Sequence, residues 1–131
     1  MVPKTTIKQF VRFCVVGTSN TVISLGTILF LFNFCNIDYR VANIIGYTFG
    51  FINSFIWNKI WTFESKNRFY KEIIPFLCIF LMSYFLNLGA VIFSAEVLLI
   101  NKNICQIIGM FFYAVTNFFG NKSWTFRQTT I

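Results

Sequence analysis

Two stretches of the chain share the pattern Phe-x-x-Asn-Lys-x-Trp-Thr-Phe: FIWNKIWTF at 55–63 and FFGNKSWTF at 118–126. Each stands where an apolar run meets its first positive charge. An amide donor beside an ammonium, under an indole, makes a grip for a phosphate, with Asn58 and Asn121 supplying hydrogen bonds and Lys59 and Lys122 the charge. Arg12, opening the first apolar run, would add a bidentate guanidinium contact. Trp61 and Trp124 suit an apolar–polar interface, where the indole N–H reaches headgroups or water. An aromatic belt with a cationic anchor explains the tryptophans and lysines equally well. It does not explain an asparagine immediately before each lysine. Read as an α-helix, the motif places Phe55, Asn58, Trp61 and Thr62 on one face, and Phe118, Asn121, Trp124 and Thr125 likewise.

The elements that must carry these residues follow from composition. Apolar residues make up 56% of the 131 and charged residues 11%, whereas soluble domains are about 25% charged. With a mean hydropathy of +0.68, this is the composition of an integral membrane protein. A helix needs about 20 residues to cross the hydrocarbon, so the chain has room for about four spans. They fall at about 10–34, 41–61, 73–98 and 104–124, with polar turns NIDYR at 36–40 and INKN at 100–103. The expected fold is all-α: four transmembrane helices in two hairpins, forming a single domain over 1–131. The N-terminal stretch MVPKTTIKQFVRFCVVG has the basic flank of a signal peptide, but the apolar run continues without a small-x-small cleavage site, so it reads as a retained first span.

The net charge of +7 would suggest nucleic acid in a soluble protein. Here the cations lie between apolar runs, and orientation accounts for them better. Lys4, Lys8, Arg12, Lys59, Lys66, Arg68, Lys71, Lys122 and Arg127 fall on one side, and only Arg40 and Lys102 on the other. That bias puts both termini in the cytoplasm. Lipid phosphate is the partner such cations suit, and nucleic acid is not expected.

Shifting the sequence by 63 residues superimposes the hairpins. Ile44, Ile45, Gly46, Phe49 and Phe55 fall on Ile107, Ile108, Gly109, Phe112 and Phe118, Lys8 falls on Lys71, and the two N-K-x-W-T-F blocks coincide. The hairpins read as an internal duplication. Within the spans, Asn20, Ser24 and Thr27 form one helical stripe, Ser83, Asn87, Ala90 and Ser94 another, and Gly46, Gly50 and Ser54 a small-xxx-small face. The stripes are expected to meet other helices. Asn20, Asn53, Asn87 and Asn117 are candidates to line a polar groove for a headgroup. Glu96, the one acidic residue within an apolar stretch, is expected near the outer interface, beside Arg40 or Lys102, because mid-membrane placement costs about 2.5–3.5 kcal/mol.

Catalysis is not indicated. The chain has no histidine, four acidic residues and four dispersed cysteines, which provide neither a catalytic constellation nor metal-ligand spacing. No cofactor or metal is expected. A small multidrug exporter would need a glutamate in its first span, and this span has no acidic residue.

FVRFCVVGTSNTVISLG at 10–26, FGFINSFIWNKIWTF at 49–63 and YAVTNFFGNKSWTF at 113–126 resemble the GtrA-like family of small four-span bacterial membrane proteins. The resemblance runs from the start of the first span to the end of the fourth, with Lys where many relatives carry Arg. It implies translocation of a polyprenyl-phosphate-linked monosaccharide, such as undecaprenyl-phosphate glucose, across the cytoplasmic membrane for cell-surface polysaccharide modification, together with a membrane glycosyltransferase that makes the lipid-linked sugar. Related domains fused to polyprenol-phosphate sugar synthases imply an alternative role, anchoring or assisting such an enzyme. Four spans are few for an enclosed path, so a homo-oligomer or a groove open to lipid is expected.

Overall fold

In hydrocarbon no water is available to satisfy peptide groups, so an apolar chain of this kind must close its hydrogen bonds within each helix. The computed structural model describes residues 4–127, which form four α-helices and no strand. They are α1 (Lys4–Asn33), α2 (Tyr39–Trp57), α3 (Phe69–Ile92) and α4 (Lys102–Gly120). Three helices are long and apolar enough to cross a membrane: Lys4–Asn33, Phe69–Val97 and Lys102–Thr125. The fourth, α2, has 19 residues and carries Arg40, Asn43 and Asn53, which dilute its apolar character. The helices also begin earlier than the apolar runs. α1 starts at Lys4 and α3 at Phe69, because polar first turns are helical without being hydrophobic.

The chain divides into two compact units, 1–64 and 65–131, one hairpin each, and the duplication read from the sequence extends to hydrogen bonds. At the α1–α2 loop, Ile37 N–H donates to Leu31 O at 3.1 Å, and at the α3–α4 loop Ile100 N–H donates to Ser94 O at 3.0 Å. These are six-to-one closures of a Schellman turn, with Asn36 and Leu99 both left-handed at φ 52. Asparagine adopts this conformation readily, whereas leucine does so at a cost of about 1–2 kcal/mol. The next helix is capped alike in both units. Asp38 accepts from Arg40 N–H and Asn101 from Asn103 N–H, each at 2.8 Å, satisfying amide donors that a helix start leaves open.

The surface is apolar, with Val22, Ile44, Met110 and Phe111 among the most exposed side chains, while Ser24, Ser83, Ser94 and Asn117 are buried. This distribution suits lipid, where packing rather than water exclusion joins helices. The small-xxx-small face does meet its partner helix. A Cβ built on Gly46 would lie 2.8 Å from Ser24 O and 2.4 Å from Ile28 Cγ1, and one on Gly109 would lie 3.1 Å from Asn87 O and 2.5 Å from Val91 Cγ2. Ser24 and Asn87 are themselves duplication mates, as are Ile28 and Val91, so one close approach is built twice.

Gly46→Ala should therefore force α1 and α2 apart and cost about 1–3 kcal/mol, read as a lowered unfolding midpoint in detergent. Gly89→Ala, where an added Cβ meets nothing within 4 Å, should leave that midpoint unchanged.

Candidate functional site at the basic ends of the hairpins

The repeated motif does not continue as α-helix. At Asn58–Thr62 and Asn121–Thr125 the backbone widens to a π-helical turn, closed by i-to-i+5 bonds from Phe63 N–H to Asn58 O at 2.9 Å and from Phe126 N–H to Asn121 O at 2.8 Å. A third such turn, Phe93–Val97, ends α3. The wider turn corrects the expected arrangement of the motif. Spreading roughly 360° over more than four residues brings positions four apart into line and swings positions three apart away. Asn58 and Thr62 are accordingly both 1% exposed, as are Asn121 and Thr125 at 0% and 3%, whereas Trp61 and Trp124 turn outward at 37% and 55%. The tryptophans do not share the asparagine face.

The asparagines are anchored from within their own helix. Asn58 Nδ2 donates to Ser54 Oγ at 3.2 Å and Asn121 Nδ2 to Asn117 Oδ1 at 2.9 Å. Asn58 Oδ1, Thr62 Oγ1, Asn121 Oδ1 and Thr125 Oγ1 are buried without a hydrogen-bond partner. Lys59 is 8% exposed, and Lys122 is half-buried.

In the first unit Arg12 closes the corner. Its Nη1 donates to Trp61 O at 2.7 Å and to Glu64 Oε1 at 2.6 Å, and its guanidinium lies 5.3 Å from the centre of the Trp61 ring. Glu64 is left-handed, with φ 50, in the position just past the helix end. Arg12, first by its hydrogen bond and then by its charge, holds the Glu64 carboxyl below its ordinary value of 4.5, with desolvation opposing and the charge of Lys8 adding a smaller push downward.

In the second unit the duplication breaks at this point. Pro75 takes the place of Arg12 and Arg127 that of Glu64. The ion pair is replaced by an open cleft of about 370 Å³ lined by Lys66, Asn67, Arg68, Lys71, Glu72, Pro75, Trp124, Thr125 and Arg127. Lys66, Arg68, Lys71 and Arg127 are exposed. Asn67 Nδ2 donates to Arg127 O at 2.9 Å, holding the segment before α3 against the end of the chain's last turn. The buried Glu72 carboxylate accepts from Ser65 Oγ.

The transmembrane-domain model of the family described as GtrA/DPMS matches residues 12–126. The chain belongs to this family. It is 40% identical to the uncharacterized membrane protein YngA of Bacillus subtilis over 96% of this chain and 84% of that protein. It is 22% identical to a second uncharacterized membrane protein of the same organism, YwcD, over 89% of this chain and 95% of the relative. The GtrA/DPMS match begins at Arg12 and ends at Phe126, so it takes in both motif turns.

The remaining residues singled out in this GtrA/DPMS chain lie along the hairpins. Asn53 Nδ2 bridges α2 to α1, donating to Asn20 Oδ1 at 2.6 Å and Ser19 Oγ at 3.1 Å. Asn87 packs against Gly109, and Asn117 accepts from Asn121. Asn20 and Asn53 are thus joined to each other, while Asn87 and Asn117 serve separate contacts in the second unit. Glu96 is exposed in the last turn of its helix. In the sequence the cleft cations Lys66, Arg68, Lys71 and Arg127 stand among the orientation charges suited to lipid phosphate, not as a site of their own. The signal that distinguishes them was the mismatch of Glu64 with Arg127 under the 63-residue shift.

Because the folded value of Glu64 lies below 4.5, the contribution of its pair with Arg12 is complete above about pH 4.5 and is lost as pH falls through the lowered value. In a carboxyl-carbon NMR titration in micelles, Glu64 should titrate below 4.5 in the wild type and return towards 4.5 in Arg12→Gln. An unmoved midpoint in that variant would refute the assigned cause.

Proposed function

We propose that this chain binds a polyprenyl-phosphate-linked monosaccharide and moves it between the leaflets of the bacterial cytoplasmic membrane, for modification of cell-surface polysaccharide. The observation that carries the reading is membership of the GtrA/DPMS transmembrane-domain family over residues 12–126. Two matching turns, each ending an apolar helix with a lysine and an outward tryptophan, add chemistry suited to a phosphate headgroup. In this reading all four helices span the membrane, and the Lys/Arg bias turns both termini to the cytoplasm. Lys59 and Lys122 draw the phosphate, Trp61 and Trp124 lie at headgroup level, and the buried Asn58 and Asn121 hold the turns in shape. Arg12 reaches a phosphate only when Glu64 releases it. The polar side chains Asn20, Asn53, Asn87 and Asn117 ease passage of the sugar while the polyprenyl tail stays in lipid. The chain works as a homo-oligomer beside a membrane glycosyltransferase, and no covalent bond is broken.

The pairing of GtrA with DPMS in the family description favours a second reading, a non-transporting partner that anchors or assists a polyprenyl-phosphate glycosyltransferase. Reconstitution separates the two. In proteoliposomes holding a labelled polyprenyl-phosphate sugar, the wild type should speed leaflet exchange, and Lys59→Ala combined with Lys122→Ala should slow it at least tenfold. A wild type that moves no lipid yet raises synthase activity supports the second reading instead.

A further inference from the structure

The two hairpins match in their loop closures, caps, glycine contacts and motif turns, so a difference at the corner beside the motif is informative. In the first unit a carboxylate, Glu64, neutralises the corner arginine, and the indole of Trp61 lies against the guanidinium. In the second, that carboxylate is replaced by Arg127 and that arginine by Pro75. What remains is a cleft bordered by four exposed cations and one buried carboxylate, Glu72.

Its form suits an anion. About 370 Å³ is within the range of small-ligand sites, about 300–1,000 Å³, and the cleft is open on one side, as entry from a headgroup layer requires. Arg68 and Arg127 present planar forks that match phosphate oxygens, and Lys66 and Lys71 add mobile point charges. Thr125, 3% exposed, lines the same cleft with its Oγ1 lacking any hydrogen-bond partner. Thr62, its mate in the first unit, is unpartnered too, so what sets the second corner apart is the open cleft and its cations. Trp124, exposed at the rim, supplies an apolar face beside the cations.

We infer that the cleft of the second hairpin, formed by Lys66, Arg68, Lys71, Arg127 and Thr125, is a phosphate-binding site, and that in the first hairpin Glu64 withholds Arg12 from phosphate. Assigning a lipid as the source of the phosphate rests on the proposed function; the site itself rests on the geometry. The division of labour between arginines is asymmetric: Arg12 fastens its own hairpin together, and Arg68 and Arg127 receive the ligand.

The test is binding to the full-length protein in neutral-lipid nanodiscs, read by tryptophan fluorescence and by native mass spectrometry, with farnesyl phosphate as the probe. Lys71→Gln combined with Arg127→Gln should weaken binding at least tenfold. Lys102→Gln, at the opposite end of the same hairpin, should change it less than twofold. Circular dichroism and gel filtration verify that each variant folds, and Arg127→Gln alone serves if the double variant does not. Weak competition by phosphatidylglycerol supports a phosphate-monoester site. Equal loss of phosphatidylglycerol and farnesyl phosphate binding overturns it in favour of general attraction to anionic lipid. Displacement by inorganic phosphate at equal concentration supports the cleft, with free phosphate as its ligand. Unchanged binding in the folded variants overturns the cleft while leaving the proposed function standing. A wild type that binds inorganic phosphate through the cleft but no farnesyl phosphate overturns the lipid reading while supporting the site.

Discussion

Helices in lipid gain little from hiding apolar side chains, because the surroundings are as apolar as the interior. The hairpins therefore depend on how closely two backbones can approach. Gly46 against Ser24 and Gly109 against Asn87 set that distance, and short bonds such as Asn53 to Asn20 then become geometrically available. Such bonds contribute only about 0.6 kcal/mol on average in a bilayer. The glycine contacts come first, since without them the polar side chains would not reach one another.

The same constraint makes the ends of the helices the informative places. Along the spans, lipid leaves little to distinguish one apolar residue from another, and exposed Val, Ile and Phe side chains dominate the surface. At the ends the helix must stop and polar groups must find partners. Both units answer with an i-to-i+5 turn that faces Asn and Thr inward and Trp outward. The invariance of N-K-x-W-T-F between the copies thus has a backbone origin. Asn anchors the turn one helical step back, Thr aligns with it four residues on, and Trp is released towards the interface.

Much of this was legible in the sequence, and what was not has identifiable physical causes. The number of helices, the pairing into hairpins and the duplication follow from hydropathy and a single 63-residue shift. The small-xxx-small face of Gly46 and Gly50 predicted a backbone contact that is present. The early start of α1 was hidden because Lys4, Thr5, Thr6, Lys8 and Gln9 are polar yet helical. The widened turns carry no compositional mark, since an extra residue per turn changes facing without changing hydropathy. α-Helical spacing therefore puts Trp61 on the Asn58 face, and the widened turn takes it off that face. The Arg12 to Glu64 pair joins residues 52 apart, a proximity that exists only once the hairpin has closed.

A duplicated unit need not keep two identical sites. Under the shift Glu64 becomes Arg127 and Gln9 becomes Glu72, and with Lys66, Arg68 and Lys71 the second corner gathers four cations against one carboxylate; like charges at close range oppose folding unless something offsets them. Proteins retain such clusters where an external anion is regularly present, and the headgroup layer of a membrane is such a place. The first hairpin keeps its arginine satisfied by Glu64 at any pH where that carboxyl is ionised, so its corner holds shape regardless of ligand. The second lacks this internal counter-ion at the same position. Its cations are balanced most completely when an anion enters the cleft, so occupancy and local stability are linked there and not in the first unit. That linkage follows from a few exchanged residues, Arg127 for Glu64, Pro75 for Arg12 and Glu72 for Gln9, on a largely repeated frame.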